Sequence, residues 1–597
     1  MDKSQTGAGG PGAGSAQWAD QISALGRAVD PFGIGAAFSD VAQGWLENPT
    51  RLASSLADFT RDVQAMQLSA WQAALGMQPT PVVKSAPDDA RFADAAWTEQ
   101  PAFALLKNYY LLYTHWLQEA LFESPGVPAK ERRQTTFWAR QWLNAVAPSN
   151  FLLTNPVALR KAWESGGQSI GNGFRLWLDD LRVGDVQMVQ RGAFHVGQNL
   201  ATTPGSVVYR NELMELIQYA PTTAEVRTIP LVIIPPWINK YYILDLNEKK
   251  SLLRHLVNQG YTVFVVSWKN PASEQAETTF DDYLMKGMKR AIEVARAICK
   301  VPQVHATGYC IGGSGLTSLM AWLNREYADA AEVPVAHWTL LATLVDFSRP
   351  GAIEVFIDER TIEALEQMMA QHGYLDGREM SRAFRLLRSN SLIWQYFVNS
   401  YLYGEAPPPF DVLYWNTDVT RMPRAMHSYY LRRFYLDNAL IEKDALTMAG
   451  HPIDLGRIRQ PLYAVGCEED HIAPWKATFL IARHVSSPVR YTLSSSGHIL
   501  GIINPRSSPP NAATGAAKPA TRLRMNGYST SARSTARGGR TGLPGSQSVA
   551  GRKLRRGRSA MPTIRCYARR LAATYTKSDR AAHSGAFSDN PICTLLS

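Results

Sequence analysis

Cysteine is scarce in this chain, with five in 597 residues. No two stand at CxxC spacing, so neither a disulfide framework nor a cysteine zinc or redox site is expected. Long apolar runs are missing too. The strongest, Pro230–Ile234 and Thr262–Trp268, are strand length and far short of the roughly 20 residues that cross a bilayer. No transmembrane segment is expected. The opening MDKSQTGAGGPGAGSAQ has no apolar core of a signal peptide. These absences point to a reducing, cytoplasmic setting. Acidic residues are almost missing from 506–597, which carry 17 Lys and Arg against Asp579 and Asp589. Residues 1–505 then hold 45 basic and 49 acidic residues, so the overall charge of +11 comes from the tail. Nothing in the body of the chain argues for a nucleic-acid partner.

What is present is core material. Apolar residues make up 45% and aromatic residues 10%, which excludes a disordered bulk. Residues 1–16 are Gly/Ala/Ser-rich and expected to be disordered. Residues 17–204 read as a helical N-terminal domain. Asn48-Pro49 resembles a cap followed by Pro at the first helical position. Leu52, Leu56, Phe59, Val63 and Met66 recur at helical spacing, as do Phe103, Leu106, Tyr110, Tyr113 and Leu117. Such stripes serve either an internal core or a packing surface for a partner or second subunit.

From Gly205 the grammar changes. Val207–Arg210 and Leu213–Tyr219 read as a hairpin around Asn211. Strands are expected at Leu231–Ile234, Thr262–Trp268, Val304–Tyr309 and Trp338–Val345, with helices at 248–259, 281–299 and 315–327. This alternation implies a mainly parallel sheet covered on both faces, hence an α/β fold. Residues 350–445 break the rhythm with helices, loops and many aromatics, as a cap inserted over an active site would. Strands return at Pro461–Val465 and Val489–Leu493, and the catalytic unit is bounded at 205–505.

The sharpest motif is Gly308-Tyr-Cys310-Ile-Gly312. It is GxCxG, with cysteine where a nucleophile elbow has serine, after an apolar strand and before an apolar helix. The tight turn leaves no room for side chains two residues to either side of the nucleophile. The helix start below it favours a thiolate. In α/β-hydrolase order an acid and then a histidine follow. Asp470, in the loop Cys467-Glu-Glu-Asp470-His471 after a strand, is preferred over Glu468 and Glu469. Asp346 is the alternative orienter. His498 follows the last strand through Ser494-Ser-Ser-Gly497. His471 reads as structural or cap-facing, and Cys467 as a small buried residue. Backbone N–H groups of Ile311 and of Trp237 or Ile238 are candidates for an oxyanion hole. No cofactor or metal is expected. A cysteine nucleophile favours exchange among thioesters, so acyl-CoA substrates fit.

Around these residues the chain resembles class I polyhydroxyalkanoate synthases. The resemblance rests on Phe194-His-Val-Gly-Gln-Asn-Leu200, Pro235-Pro-Trp-Ile-Asn-Lys-Tyr-Tyr-Ile-Leu-Asp245, Val266-Ser-Trp-Lys-Asn-Pro271, Gly308–Gly313, Phe410-Asp-Val-Leu-Tyr-Trp-Asn416, Glu469–Trp475 and Gly497–Pro505. It runs from about residue 30 to 505. It implies an α/β-hydrolase fold that polymerises (R)-3-hydroxyacyl-CoA, such as 3-hydroxybutyryl-CoA, into polyester with release of CoA. Cys310 would carry the acyl group, His498 would act as base on the thiol and on the incoming 3-hydroxyl, and Asp470 would orient it. It further implies a homodimer formed through the cap, a granule surface carrying the growing polyester, and contacts with phasins. Rival readings are a cysteine thioesterase or hydrolase, or an inactive granule-associated subunit. After Pro505 the resemblance stops. All 16 Trp lie at or before Trp475, whereas the family continues with a Trp-containing region. The tail 506–597 reads either as a shifted reading frame or as a genuine basic extension, and as disordered in both cases. Loss of the usual C-terminal region would lower stability or solubility with the triad intact.

Overall fold

The structure, a computed structural model, describes residues 30, 32–77, 82–83, 85–86 and 89–503. The expectations for 1–16 and 506–597 lie outside the described residues.

Eight strands form the central sheet: β1 (Gly205–Arg210), β2 (Met214–Tyr219), β3 (Leu231–Ile234), β4 (Val263–Trp268), β5 (Val304–Tyr309), β6 (Val335–Leu341), β7 (Leu462–Cys467) and β8 (Val489–Ser494). Their spatial order is β1-β2-β4-β3-β5-β6-β7-β8. β2 pairs antiparallel with β1 and β4, and all later neighbours are parallel. This is the α/β-hydrolase fold. Valine and isoleucine suit these strands because both faces are covered. In β3, Val232 and Ile234 join one apolar cluster and Leu231 and Ile233 the other. The sheet therefore divides two cores.

The expected elements shift in instructive ways. The helix expected over 248–259 begins only at Leu252. Before it, Asp245–Asn247 and Lys250–Ser251 form a small antiparallel ladder. Asn247 Oδ1 accepts from the N–H groups of Lys249 and Lys250, making the turn, and Ser251 caps the helix through Arg254 N. The helix expected over 281–299 contains a π stretch at Tyr283–Lys289. There Gly287 lies against the Trp268 ring, where a Cβ would sit 2.6 Å away. The helix expected from Gly315 starts at Ile311, directly after Cys310.

Between β6 and β7 stand the inserted helices, among them Glu359–His372, Gly377–Leu387, Asp411–Thr417 and Arg424–Tyr429. Two short strands, Tyr374–Leu375 and Met422–Pro423, pair within this insertion. The N-terminal helices dock on it through buried polar contacts. Tyr401 OH donates to Asp180 at 2.6 Å, Arg385 grips Asp185 at 2.8 and 3.0 Å, and Asn144 Nδ2 donates to Ser389 Oγ at 3.0 Å. Gly173 sits on Tyr401, where any Cβ would strike its carbonyl oxygen.

The two expected apolar stripes are covered only in part. Met66 is buried and Phe59 packs on Trp116, but Leu56 and Tyr113 are exposed. Among the described residues no helix is long and apolar enough to cross a membrane.

Candidate active site

Cys310 stands at the C-terminal end of β5, where parallel strands open toward solvent and loops converge. Its backbone is strained, with φ 53° and ψ −128°, a region that side-chain-bearing residues rarely occupy. The neighbouring glycines explain how the strain is tolerated. A Cβ on Gly308 would lie 2.4 Å from Gly313 Cα, and one on Gly312 would lie 2.5 Å from the Ile234 carbonyl oxygen. The turn closes only because neither position has a side chain. It leaves the Cys310 thiol at the start of the helix Ile311–Glu326.

His498 follows β8 and reaches back to this helix start. Its Nδ1 donates to Asp470 Oδ2 at 2.6 Å. The other Asp470 oxygen accepts from the N–H groups of Ile472 and Ala473, at 2.9 and 2.8 Å. The Asp470 side chain is wholly buried and that of His498 nearly so. Burial alone would push the imidazole pKa down. The Asp470 carboxylate and the Cys310 sulfur outweigh it, by charge and by hydrogen bonding, and hold the imidazole well above its ordinary value. The structure thus brings Cys310, His498 and Asp470 together from three strand ends.

The other candidates are placed as follows. Asp346 binds a different histidine, His484 Nε2, at 3.1 Å, and also takes Asn438 Nδ2. Glu468 and Glu469 are exposed. His471 faces the cap, its Nδ1 accepting from Arg388 at 3.2 Å. Burial and then the Arg388 charge hold it down to about 4, in the neutral form that can accept this bond. Cys467 is fully buried, and burial followed by the Asp470 charge pushes its thiol pKa up. The Pro235–Asn239 loop touches the elbow through Ile234 and Pro235, and Trp268 Nε1 pins it by donating to the Pro235 carbonyl at 2.9 Å. The Trp237 ring is buried among Trp268, Phe280, Tyr283 and Tyr430. Among the described residues, the backbone N–H groups of Ile311, Trp237 and Ile238 have no protein acceptor.

Two groups escaped the sequence reading. Tyr430, buried, and Tyr435, half-buried, bring phenols beside Cys310. Burial first, and then the neighbouring Tyr435 and Cys310 for Tyr430, or Cys310 for Tyr435, raises both pKa values. They are five residues apart, and the π turn Tyr430–Leu436 sets their rings 5.3 Å from each other. Five-residue spacing is silent in a search for ordinary helical periodicity. Tyr309 packs on His498 and is taken up below. Among the described residues no cluster of three His, Cys, Asp or Glu could hold a metal ion.

Comparison with known proteins agrees with this architecture. Residues 88–256 match the family model "Poly-beta-hydroxybutyrate polymerase (PhaC) N-terminus", and residues 229–505 match "alpha/beta hydrolase fold". A poly(3-hydroxyalkanoate) polymerase from Methylorubrum extorquens is 42% identical over 473 residues, which is 78% of this chain and 77% of that protein. The poly(3-hydroxyalkanoate) polymerase subunit PhaC of Cupriavidus necator is 42% identical over 422 residues, 70% of this chain and 71% of that one. A solved hydrolase from Pseudomonas aeruginosa PA01 covers 52% of the chain and 94% of its own, at 13% identity and TM-score 0.30, too slight a likeness to carry an argument. At this identity over this length, the chain belongs to the poly(3-hydroxyalkanoate) polymerase family.

Proposed function

We propose that the chain polymerises (R)-3-hydroxyacyl-CoA, with short acyl groups such as 3-hydroxybutyryl, through a thioester on Cys310. Family membership supports the acyltransferase activity. The observation that carries the catalytic assignment is the buried Asp470–His498 contact of 2.6 Å aimed at the strained cysteine.

Asp470 fixes His498 with Nδ1 protonated, and Nε2 holds the proton taken from the Cys310 thiol, the raised imidazole pKa favouring the thiolate–imidazolium pair. The sulfur then bonds to the acyl carbonyl carbon. The carbon–sulfur bond to CoA breaks, and CoA leaves as a thiol with the proton from His498. In elongation His498 takes the proton of the 3-hydroxyl of an incoming unit. That oxygen bonds to the thioester carbonyl, an ester forms, and Cys310 is released. The lengthened chain, now on the incoming CoA, returns to Cys310 by the same exchange. The N–H of Ile311, with that of Trp237 or Ile238, would receive the oxyanion of each tetrahedral intermediate. Their lack of a protein acceptor supports this role. The inserted helices serve as the cap, and the Tyr430 and Tyr435 rings would shield the acyl-enzyme from water. The exposed apolar rings of the N-terminal helices suit contact with an apolar polyester granule in the cytoplasm. The homodimer through the cap and the phasin contacts rest on the family resemblance.

The test is to supply (R)-3-hydroxybutyryl-CoA to the purified chain. Polymer with one CoA released per unit supports the reading. Free 3-hydroxybutyrate in place of polymer means that water resolves the acyl-enzyme and the chain is a hydrolase.

A further inference from the structure

His498 sits in a loop tied on either side of it, at Ser494 and Ser496 by the N–H groups of Glu468 and Glu469 and at Gly497 by that of Gly501, while among the described residues no backbone hydrogen bond holds His498 itself. Ser496, two residues before it, has left-handed backbone at φ 87°. Among the described residues the hydroxyls of Ser495 and Ser496 are buried without a partner. Only the four-residue helix Leu500–Ile503 follows within the described residues. Proton transfer nevertheless needs the imidazole held to within a fraction of an ångström. Asp470 fixes one ring nitrogen. It fixes neither the plane of the ring nor the backbone that carries it.

Tyr309 meets both. Its ring stacks on the imidazole, with centroids 5.5 Å apart and planes inclined by 24°. Its hydroxyl donates to the His498 carbonyl oxygen at 3.1 Å. Among the described residues no backbone N–H reaches that carbonyl. Tyr309 is itself held fast. It is the last residue of β5, 1% exposed, and belongs to the core cluster that includes Val465, Cys467, Ile502 and Ile503. The two isoleucines come from the helix after His498, so Tyr309 and the segment that follows the histidine share one core.

We propose that Tyr309 is the positioning residue for His498, so that the dipeptide Tyr309-Cys310 sets both the nucleophile and its base. The strained backbone aims the sulfur, and the side chain one residue earlier aims the imidazole. Because they share a peptide bond, their separation is fixed by the sheet and not by the loop. The middle residue of Gly-x-Cys is then a site for an aromatic donor. The phenol is a donor across the working range, since burial, followed by the charges of Cys310, Cys467 and Asp470, raises its pKa well above the ordinary value. The proposal rests on reading Cys310 and His498 as nucleophile and base.

The two contacts can be separated. Tyr309→Phe keeps the ring and loses the donor, and Tyr309→Leu loses both. The full chain, as wild type and both variants, is assayed with (R)-3-hydroxybutyryl-CoA for kcat and KM. His498 is titrated by NMR after histidine labelling. The expected result is a kcat loss of severalfold for Tyr309→Phe and of about 100-fold for Tyr309→Leu, the cost of a base displaced by about 1 Å. KM stays within twofold, because no substrate contact is removed. The titration midpoint of His498 falls toward the ordinary histidine value as the grip of Asp470 loosens. Wild-type kcat in Tyr309→Leu, or an unmoved His498 titration in an impaired variant, would overturn the proposal. If Tyr309→Leu does not fold, Tyr309→Phe decides by the same two readouts. Cys310→Ala separates the levels: activity in that variant defeats the underlying reading, whereas an inactive Cys310→Ala beside a fully active Tyr309→Leu defeats only the role of Tyr309.

Discussion

The helices before residue 184 and the sheet unit after residue 204 treat their apolar side chains in different ways. Twenty-one of the 27 large apolar residues exposed among the described residues precede residue 184, Trp163, Leu153 and Trp71 among them. The sheet unit exposes few and buries whole rings such as Trp338, Phe264 and Tyr309. Among the described residues the helices have a small cluster of their own around Val41, Leu121 and Ala139, with scattered buried rings such as Trp97 and Phe137. They are held to the cap by polar contacts such as Asn144–Ser389 and Tyr401–Asp180. A site that must hold three side chains in register needs the first kind of support, a core that fixes its walls. A surface that meets an apolar polymer needs the second, rings left without protein cover. The sheet unit thus suits the chemistry and the helices suit the contact.

Four substitutions or conditions would break or sharpen this contrast, in falling order of effect. Cys310→Ala removes the proposed nucleophile from the rigid part. Polymer release from (R)-3-hydroxybutyryl-CoA should fall by at least about 1,000-fold with an unchanged circular dichroism spectrum. Trp338→Ala opens the sheet core, where the indole is fully buried and donates to the Gln460 carbonyl at 3.0 Å. It should cost about 3–5 kcal/mol in urea unfolding.

Acid should loosen the sheet unit before the helices. His305 and His427 are buried and held down to about 4, burial being the main cause. The unfolded chain binds these protons near pH 6.5, so stability is lost as the pH falls from about 6.5 to 4. Each histidine contributes on the order of 3 kcal/mol to that loss. Among the described residues His427 has no partner on either ring nitrogen, so His427→Phe should flatten the urea midpoint between pH 7 and 5. The smallest effect is expected for Trp163→Ser. This ring is 89% exposed, and its loss should change stability by less than about 0.5 kcal/mol. Binding of the chain to polyester particles in a sedimentation assay should weaken all the same.

The same contrast explains what the residues revealed in advance. The elbow was legible because Gly308 and Gly312 answer a steric need that few turns share. Asp470 and His498 were legible because each follows a strand in the required order. Asp346 passed the same test of position and yet binds His484, because strand-end placement cannot say which histidine an acid will meet. The strands were legible from their Val and Ile content, but the ladder at 245–251 was not, since its turn depends on one asparagine side chain. The helical stripes gave the faces only in part, since Leu112 and Leu121 are buried outside the expected stripe and Leu56 and Tyr113 on the stripes are exposed. They did not show which would be covered, because periodicity records which residues share a face and not what lies opposite. Tyr309 occupies a motif position that sterics leave free, so its contact with His498 emerges only from the fold.

The most direct test of the central claim is to locate the covalent intermediate. The chain is mixed with radiolabelled (R)-3-hydroxybutyryl-CoA, quenched in acid within the first turnovers and digested. The account predicts label on the peptide containing Cys310, through a bond that hydroxylamine cleaves. Label on any other residue, or turnover to polymer with no labelled peptide, would contradict it.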